Sequence, residues 1–320
     1  MNRRIIGLAA IISLLIATDL IIHKTDGDSL IVPLSQIGKI TFPNVNDTTY
    51  LITGDSFSIP LSQIDKITFS NVNDTPPTAD TILIYPGDDI NSIVDNNPEG
   101  TTFIIKAGIH RMQEIWPLEG NTFIGEDGAI LNGSRLLTEF EQEGHLYYAE
   151  NQTQGDWYGG SDICQDGWER CNHPEDLYFD DEPLRHVNTL ADVAPGKWFF
   201  NYDNDRIYFA DDPTGHTVET SVTYFAFTNS ASSVTIQNLV IEKFASMVMM
   251  GAVGSTGGEN WLVEGNEVRL NHGVGVFVRS ESIVRNNYIH HNGQMGVGTG
   301  TEEGFWVTNV LFEANEISYN

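Results

Sequence analysis

The 320-residue sequence is poor in basic side chains, with 16 Lys and Arg against 44 Asp and Glu and a formal net charge of −28. That deficit argues against nucleic acid as a partner, because a phosphate backbone rewards basic surfaces. An anionic polysaccharide would also be repelled on average unless a local basic groove or bound cations reverse the field. Cysteine is scarce: Cys164 and Cys171 are the two present. With no second Cys pair, and nine His without zinc-site spacing, a structural zinc site is not expected. Long apolar runs are missing too. The run Ile5 to Ala17 has 13 residues, whereas a membrane span needs about 20. Behind the basic start Met1-Asn-Arg-Arg4 it reads as a signal-peptide core, so residues 1–22 are expected to be a signal peptide or N-terminal anchor. Leu15-Ile-Ala17 is an imperfect cleavage signal, which leaves the anchor open, and no Cys follows the run to carry a lipid. The expected location is secreted, periplasmic or cell-surface. In an exported chain the close Cys164–Cys171 spacing favours a disulfide over free thiols or half a metal site.

What the chain has in quantity is repetition. Val234-Thr-Ile-Gln-Asn238-Leu-Val240 returns as Leu262-Val-Glu-Gly-Asn266-Glu-Val268, Ile283-Val-Arg-Asn-Asn287-Tyr-Ile289 and Leu311-Phe-Glu-Ala-Asn315-Glu-Ile317. Aligned on the Asn, the steps are 28, 21 and 28 residues, within the range of solenoid repeats. A second Asn follows five residues later in the last three copies, at Asn271, Asn292 and Asn320. Two such columns suit stacked turns, with each Asn expected to take a left-handed bend and bond its copy in the next turn. The apolar spacing is that of short strands, not helices. The expected fold class is all-β, a parallel β-helix with Val, Ile and Leu stacked inside.

These repeats resemble the right-handed parallel β-helix proteins, the superfamily that includes pectate lyases and other polysaccharide lyases and hydrolases. The resemblance covers roughly residues 80 to 320 and implies the right hand. It does not assign an activity, because one fold hosts many chemistries. A strand at Thr81-Ile-Leu-Ile-Tyr85, a short helix capped from Pro86-Gly-Asp-Asp89, and a strand at Thr102–Gly108 resemble the segment that plugs the N-terminal end of such solenoids. The first coils follow at Ile115-Trp-Pro-Leu118 and from Asn121 to Gly133. Over about 138–222 the pattern gives way to aromatic strands such as Lys197-Trp-Phe-Phe200, expected as a β-rich insertion lying against the solenoid. Residues 23–77 hold an unrelated repeat, Asp28 to Phe42 returning as Asp55 to Phe69. Each copy reads as strand, turn and strand, and the pair as a spacer or docking unit closed by the linker Thr75-Pro-Pro-Thr78. The β-helix domain is therefore expected over 78–320. No terminal cap is visible at Asn320, so a C-terminally incomplete fragment is expected.

A lyase of this fold would need carboxylates for Ca²⁺ and an Arg or Lys near the sugar's C5 proton. A hydrolase would need two carboxylates across the scissile bond. No motif specifies either set. Glu302 and Glu303 lie in the loop Gly296 to Gly304, which resembles Gly254 to Glu259, and each loop precedes a Trp, Trp306 or Trp261. Stacked, these loops would give a groove with acids and an aromatic platform for sugar; the competing reading is solvated turns with packing Trp residues. Arg269, Arg279 and Arg285 with His272, His290 and His291 form a basic concentration. Arg269 and His290 each lie three residues after a column Asn, so they are expected side by side on adjacent coils. Such a strip would hold uronate carboxylates or supply a base, unless its members are simply outward-facing strand residues. His290 and His291 are not expected to share a metal, because successive strand residues point to opposite faces. In the insertion, Asp156 to Asp162 and Asp166-Gly-Trp168 combine acids with aromatics beside the Cys pair, for a sugar or Ca²⁺ contact or simply a pinned loop.

The expected function is an exported β-helix protein, monomeric, that binds or cleaves a polysaccharide, a uronate-containing one among the candidates. Its alternative is a non-catalytic surface or adhesive solenoid. The candidate catalytic residues are Glu302, Glu303, Arg269 and His290, and the candidate sugar contacts Trp261, Trp306, Arg279 and Trp168. Ca²⁺ is expected only in the lyase case.

Overall fold

The computed structural model describes residues 81–155, 164–254, 258–300 and 307–320, together with the backbone of six strands between residues 17 and 71. The chain divides into two compact units, Met1–Ala79 and Asp80–Asn320. In the first, each copy of the short repeat gives one strand to each of two three-stranded antiparallel sheets. Ser29–Pro33 and Ile64–Asn71 flank Ala17–Lys24, while Ile37–Ile40 and Phe57–Ile59 flank Ile52–Gly54. Residues 1–16, which carry most of the expected signal core, lie outside the described residues. Among the described residues, no helix is long and apolar enough to cross a membrane.

The second unit is a parallel β-helix. Its first sheet stacks seven parallel strands, from Thr81–Ile84 through Thr102–Ile105, Thr122–Gly125, Thr235–Gln237, Leu262–Glu264 and Ile283–Arg285 to Leu311–Glu313. A six-stranded second sheet runs from Gly108–Arg111 to Glu316–Ser318, and a three-stranded third joins Gly251–Val253, Val274–Val278 and Met295–Thr299. Alternation along each strand puts every second residue inside. Phe103, Phe123, Ile236, Val263 and Val284 are in register on the first sheet, and Leu131, Ile241, Val268 and Ile289 on the second, all fully buried. Each such side chain contributes about 1.5–3 kcal/mol on leaving water. The N-terminal end is covered by the helix Ile90–Asp95, whose first turn is capped by Asp89 accepting from the Ser92 amide at 3.0 Å, and whose Ile90 and Val94 are buried.

The Asn columns stand one residue away from the expected bends. Left-handed backbone falls on Asn238, Gly265, Asn286 and Ala314, and again on Lys243, Leu270, His291 and Tyr319. The ladder side chains are the residues that follow. Asn266 accepts from the Leu239 amide at 3.0 Å, Asn287 accepts from Asn266, and Asn315 accepts from Asn287. The second ladder runs in the same way through Asn271, Asn292 and Asn320. Asn238 therefore belongs to the corner column, and the true step from the first repeat to the second is 27 residues, as the pairing of Thr235 with Leu262 shows. Each ladder amide satisfies backbone groups that a bent chain cannot pair by itself.

The insertion leaves and returns at one point. Gly133 accepts from the amides of Val222 and Thr223, and Ser134 pairs with Ser221. A side chain at Gly133 would strike the backbone and ring of Phe244 at 2.7 Å, so glycine lets this neck lie directly against the coil that carries Phe244. Between these ends an eight-stranded sheet, Ser134–Leu137 to Glu141–Glu143 at its edges, closes over its own core of Trp198, Phe200, Ile207 and Phe209. The solenoid resumes at Phe227, which bridges to Ile115 and Val253 before the strand Thr235–Gln237 begins.

Candidate functional site

The insertion is tied down on the second sheet by a buried charge cluster. Glu219, 2% exposed, pairs with Arg111 at 2.5 Å, accepts from Ser134 Oγ at 3.0 Å, and pairs with Lys243, which also meets Asp181. Burial alone would raise the Glu219 carboxyl, but Lys243 and Arg111 hold it below the usual carboxylate value. Lys243 occupies a left-handed corner of the solenoid at 1% exposure, its ammonium 5.2 Å from the ring centroid of Tyr178. The Tyr178 hydroxyl in turn donates to the Leu270 carbonyl at 2.7 Å.

Beside this contact, insertion and solenoid enclose a cleft of about 600 Å³, within the size range of small-molecule sites. Trp168, Arg170, Asp176 and Arg185 line it from the insertion, His272 and His291 from the solenoid. Trp168 is 56% exposed, with the Arg185 guanidinium 5.5 Å from its ring centroid. The buried Nε of Arg185 has no hydrogen-bond partner among the described residues. The loop carrying Trp168 is pinned by the Cys164–Cys171 disulfide.

His272 bridges the two walls. Its Nδ1 lies 3.1 Å from Asp176 Oδ2 and its Nε2 2.8 Å from the Cys171 carbonyl. Both neighbours are acceptors, so both ring nitrogens donate and the ring is an imidazolium. Burial pulls its pKa down, yet Asp176 and the two hydrogen bonds prevail and raise it to about 8 from the ordinary 6.5. A raised folded value means the stabilisation is complete below the unfolded value, near 6.5, and is lost as pH climbs through about 8. We expect the wild-type chain to lose up to about 2 kcal/mol more than a His272→Gln variant between those limits, measured by denaturant unfolding.

Behind the cleft the imidazoles behave oppositely. Burial, helped by Arg170 and His272, presses His173 down to about 4, and burial holds His186 well below its ordinary value. Tyr202 donates to Glu175 at 2.9 Å, and the Glu175 carboxyl is raised by burial. His186 stacks on Trp198 at 3.9 Å. The two imidazoles add no charge to the cleft, whose cationic groups are Arg170, His272 and Arg185, the last 3.9 Å from the Glu169 carboxylate.

The expected site residues are scattered. Trp168 lines the cleft. Trp261 does not form a sugar platform: it is 1% exposed in the solenoid core, its Nε1 donating to the Ala231 carbonyl at 2.7 Å. Glu302, Glu303 and Trp306, like Asp156 to Asp162, lie outside the described residues. Arg269 and His290 do pair across adjacent strands. The expected cationic strip is nonetheless neutralised. Arg269 holds Glu242 at 2.8 Å and Glu267 at 2.7 Å, and Arg285 holds Glu264 at 2.8 Å. Arg279, partly buried, follows the strand Val274–Val278, and neither it nor Arg269 lines the cleft. Among the described residues no group of three or more His, Cys, Asp or Glu side chains forms a cation site. Asp176, Arg170 and Arg185 were missed because their meeting with the solenoid is long-range; His272 stands 96 residues from Asp176.

Residues 210–320 match the family model described as "Right handed beta helix region". No curated protein matches the sequence. Among solved structures, "The complex structure of XylC with xylose" aligns at a TM-score of 0.58 and 14% identity, covering 71% of this chain and 49% of that one, so the chain spans about half the length of that structure. A second, titled "Glycoside hydrolase", covers 70% of this chain and 68% of its own, but its TM-score of 0.35 at 9% identity is too low to establish a shared fold. With its stacked parallel sheets, its two Asn ladders and the matched region, the chain is a right-handed parallel β-helix protein.

Proposed function

We propose that this chain is an exported carbohydrate-binding protein that takes a saccharide in the cleft between insertion and solenoid, and that a sugar carboxylate is favoured there. The observation that carries the reading is the exposed Trp168 indole beside the Arg185 guanidinium, which has only the Glu169 carboxylate at 3.9 Å as an ion-pair partner, in a chain of net charge −28. An aromatic face suits a sugar ring, and an Arg fork suits a carboxylate. A structure of the same fold was determined with xylose, which supports a sugar as ligand. Binding is favoured over cleavage because Asp176 is the one carboxylate among the described lining residues, and it is engaged by His272, whereas hydrolysis uses two.

Calorimetric titration with xylo-oligosaccharides and with galacturonate oligosaccharides tests this. The wild-type chain should bind, with the uronate preferred. Trp168→Ala should weaken both ligands by about tenfold or more, a loss of roughly 1.4 kcal/mol, and Arg185→Ala should remove the preference. Unchanged affinity in Trp168→Ala would place any binding elsewhere. Unsaturated product or new reducing ends in the same mixtures would favour the cleaving reading.

A further inference from the structure

At the rim of the cleft two imidazoles converge. His290 closes the strand Tyr288–His290 at 8% exposure, and its Nδ1 lies 2.7 Å from Nδ1 of the exposed His291. Neighbours along a strand ordinarily face opposite ways. Here His291 occupies a left-handed corner, φ 53°, which brings its ring back beside that of His290. On its far side, Nε2 of His290 faces Glu267 Oε1 at 3.2 Å, and the same oxygen accepts from Arg269 at 2.7 Å. A carboxylate held in this way accepts a hydrogen bond from Nε2–H, which leaves Nδ1 of His290 as a bare lone pair aimed at His291. Both rings are steadied by stacking, His290 on Tyr288 at 3.9 Å and His291 on Tyr319 at 5.1 Å.

We propose that His290 and His291 form a two-imidazole chelate for a first-row divalent cation of the zinc, nickel or copper type, with Glu267 as the outer carboxylate that orients His290. Imidazole nitrogen suits these cations, and a carboxylate behind the ligating ring fixes its tautomer and raises its basicity. Metal–nitrogen bonds of about 2.0–2.1 Å at a tetrahedral angle set the two nitrogens about 3.3 Å apart. The pair therefore opens by roughly half an ångström, a movement the exposed His291 ring can make. On binding, His291 changes tautomer: its Nδ1 proton is released to solvent, one is taken up at Nε2 so that the ring stays a neutral imidazole, and the cation takes the place of the shared proton. No third His, Cys, Asp or Glu side chain joins the pair among the described residues. The remaining positions are filled by water, or by oxygens of a ligand in the cleft, which His291 also lines.

The test uses untagged full-length chain at neutral pH and the metal alone, so it does not depend on the carbohydrate reading. Nickel or zinc chloride should bind one per chain with a Kd below about 0.1 mM, and a copper-loaded sample should show nitrogen coupling in its electron paramagnetic resonance spectrum. His291→Asn, which keeps a residue tolerant of the left-handed corner, should weaken binding at least about tenfold, as should His290→Phe, which keeps the stacking on Tyr288. Glu267→Gln should weaken it by about tenfold. Circular dichroism of the variants would verify that the coils remain folded. Affinity in folded His291→Asn or His290→Phe equal to wild type, or the lack of any one-to-one binding in the wild-type chain, would overturn the proposal.

Discussion

Replacing Glu219 by Met is expected to destabilise the Asp80–Asn320 unit by about 3–5 kcal/mol, because it strands a buried ammonium. Lys243 is 1% exposed and would keep only Asp181, a carboxylate 71% exposed. Replacing Lys243 by Met should cost less, since Arg111 still pairs with Glu219. The double variant Glu219→Met/Lys243→Met should be more stable than Glu219→Met alone, because no unpaired charge then lies under the insertion and Arg111, 28% exposed, can turn to water. That non-additivity is the signature of a coupled buried cluster. Denaturant unfolding of the four proteins measures it, and additive single changes would mean that the insertion is held by apolar contacts alone.

The second large effect concerns Trp261. Truncation to Ala empties a fully buried indole site and removes its hydrogen bond to Ala231, for an expected loss of about 3–5 kcal/mol. In a unit of this size that lowers the melting temperature by roughly 6–20 °C. Saccharide affinity, measured well below the melting point, should stay within about twofold of wild type, because Trp261 does not line the cleft. A variant that keeps its melting temperature but loses affinity would restore Trp261 as a surface platform.

The sequence carries the coils because local alternation and a fixed corner length repeat in it. Arg269 and His290 fall side by side since the 21-residue step between their coils is unbroken. Asn238 misleads because the preceding coil is one residue out of step, so a polar residue that suits a left-handed corner stands where a ladder Asn is expected. Trp261 lies two residues before the inward Val263, and a strict period of two would have placed it inside; the likeness of its loop to Gly296–Gly304 pointed outward instead. The meeting of His290 with His291 depends on a backbone bend that a count of alternating faces does not contain. The cleft has no local signature at all. Asp176 and Cys171 reach His272 only because an insertion folded from Ser134 to Ser221 lies back on the coil that follows it.

The measurement that bears most directly on the cleft as the ligand site is an amide and indole chemical-shift map of the isotope-labelled chain titrated with a galacturonate oligosaccharide. Perturbations are expected at the Trp168 indole, at Arg170 and Arg185, and on the facing corner at His272, Gly273 and Gln294, all lining the cleft. Perturbations confined to Gly254–Glu259 and Gly296–Gly304, or none at saturating ligand, would contradict this placement.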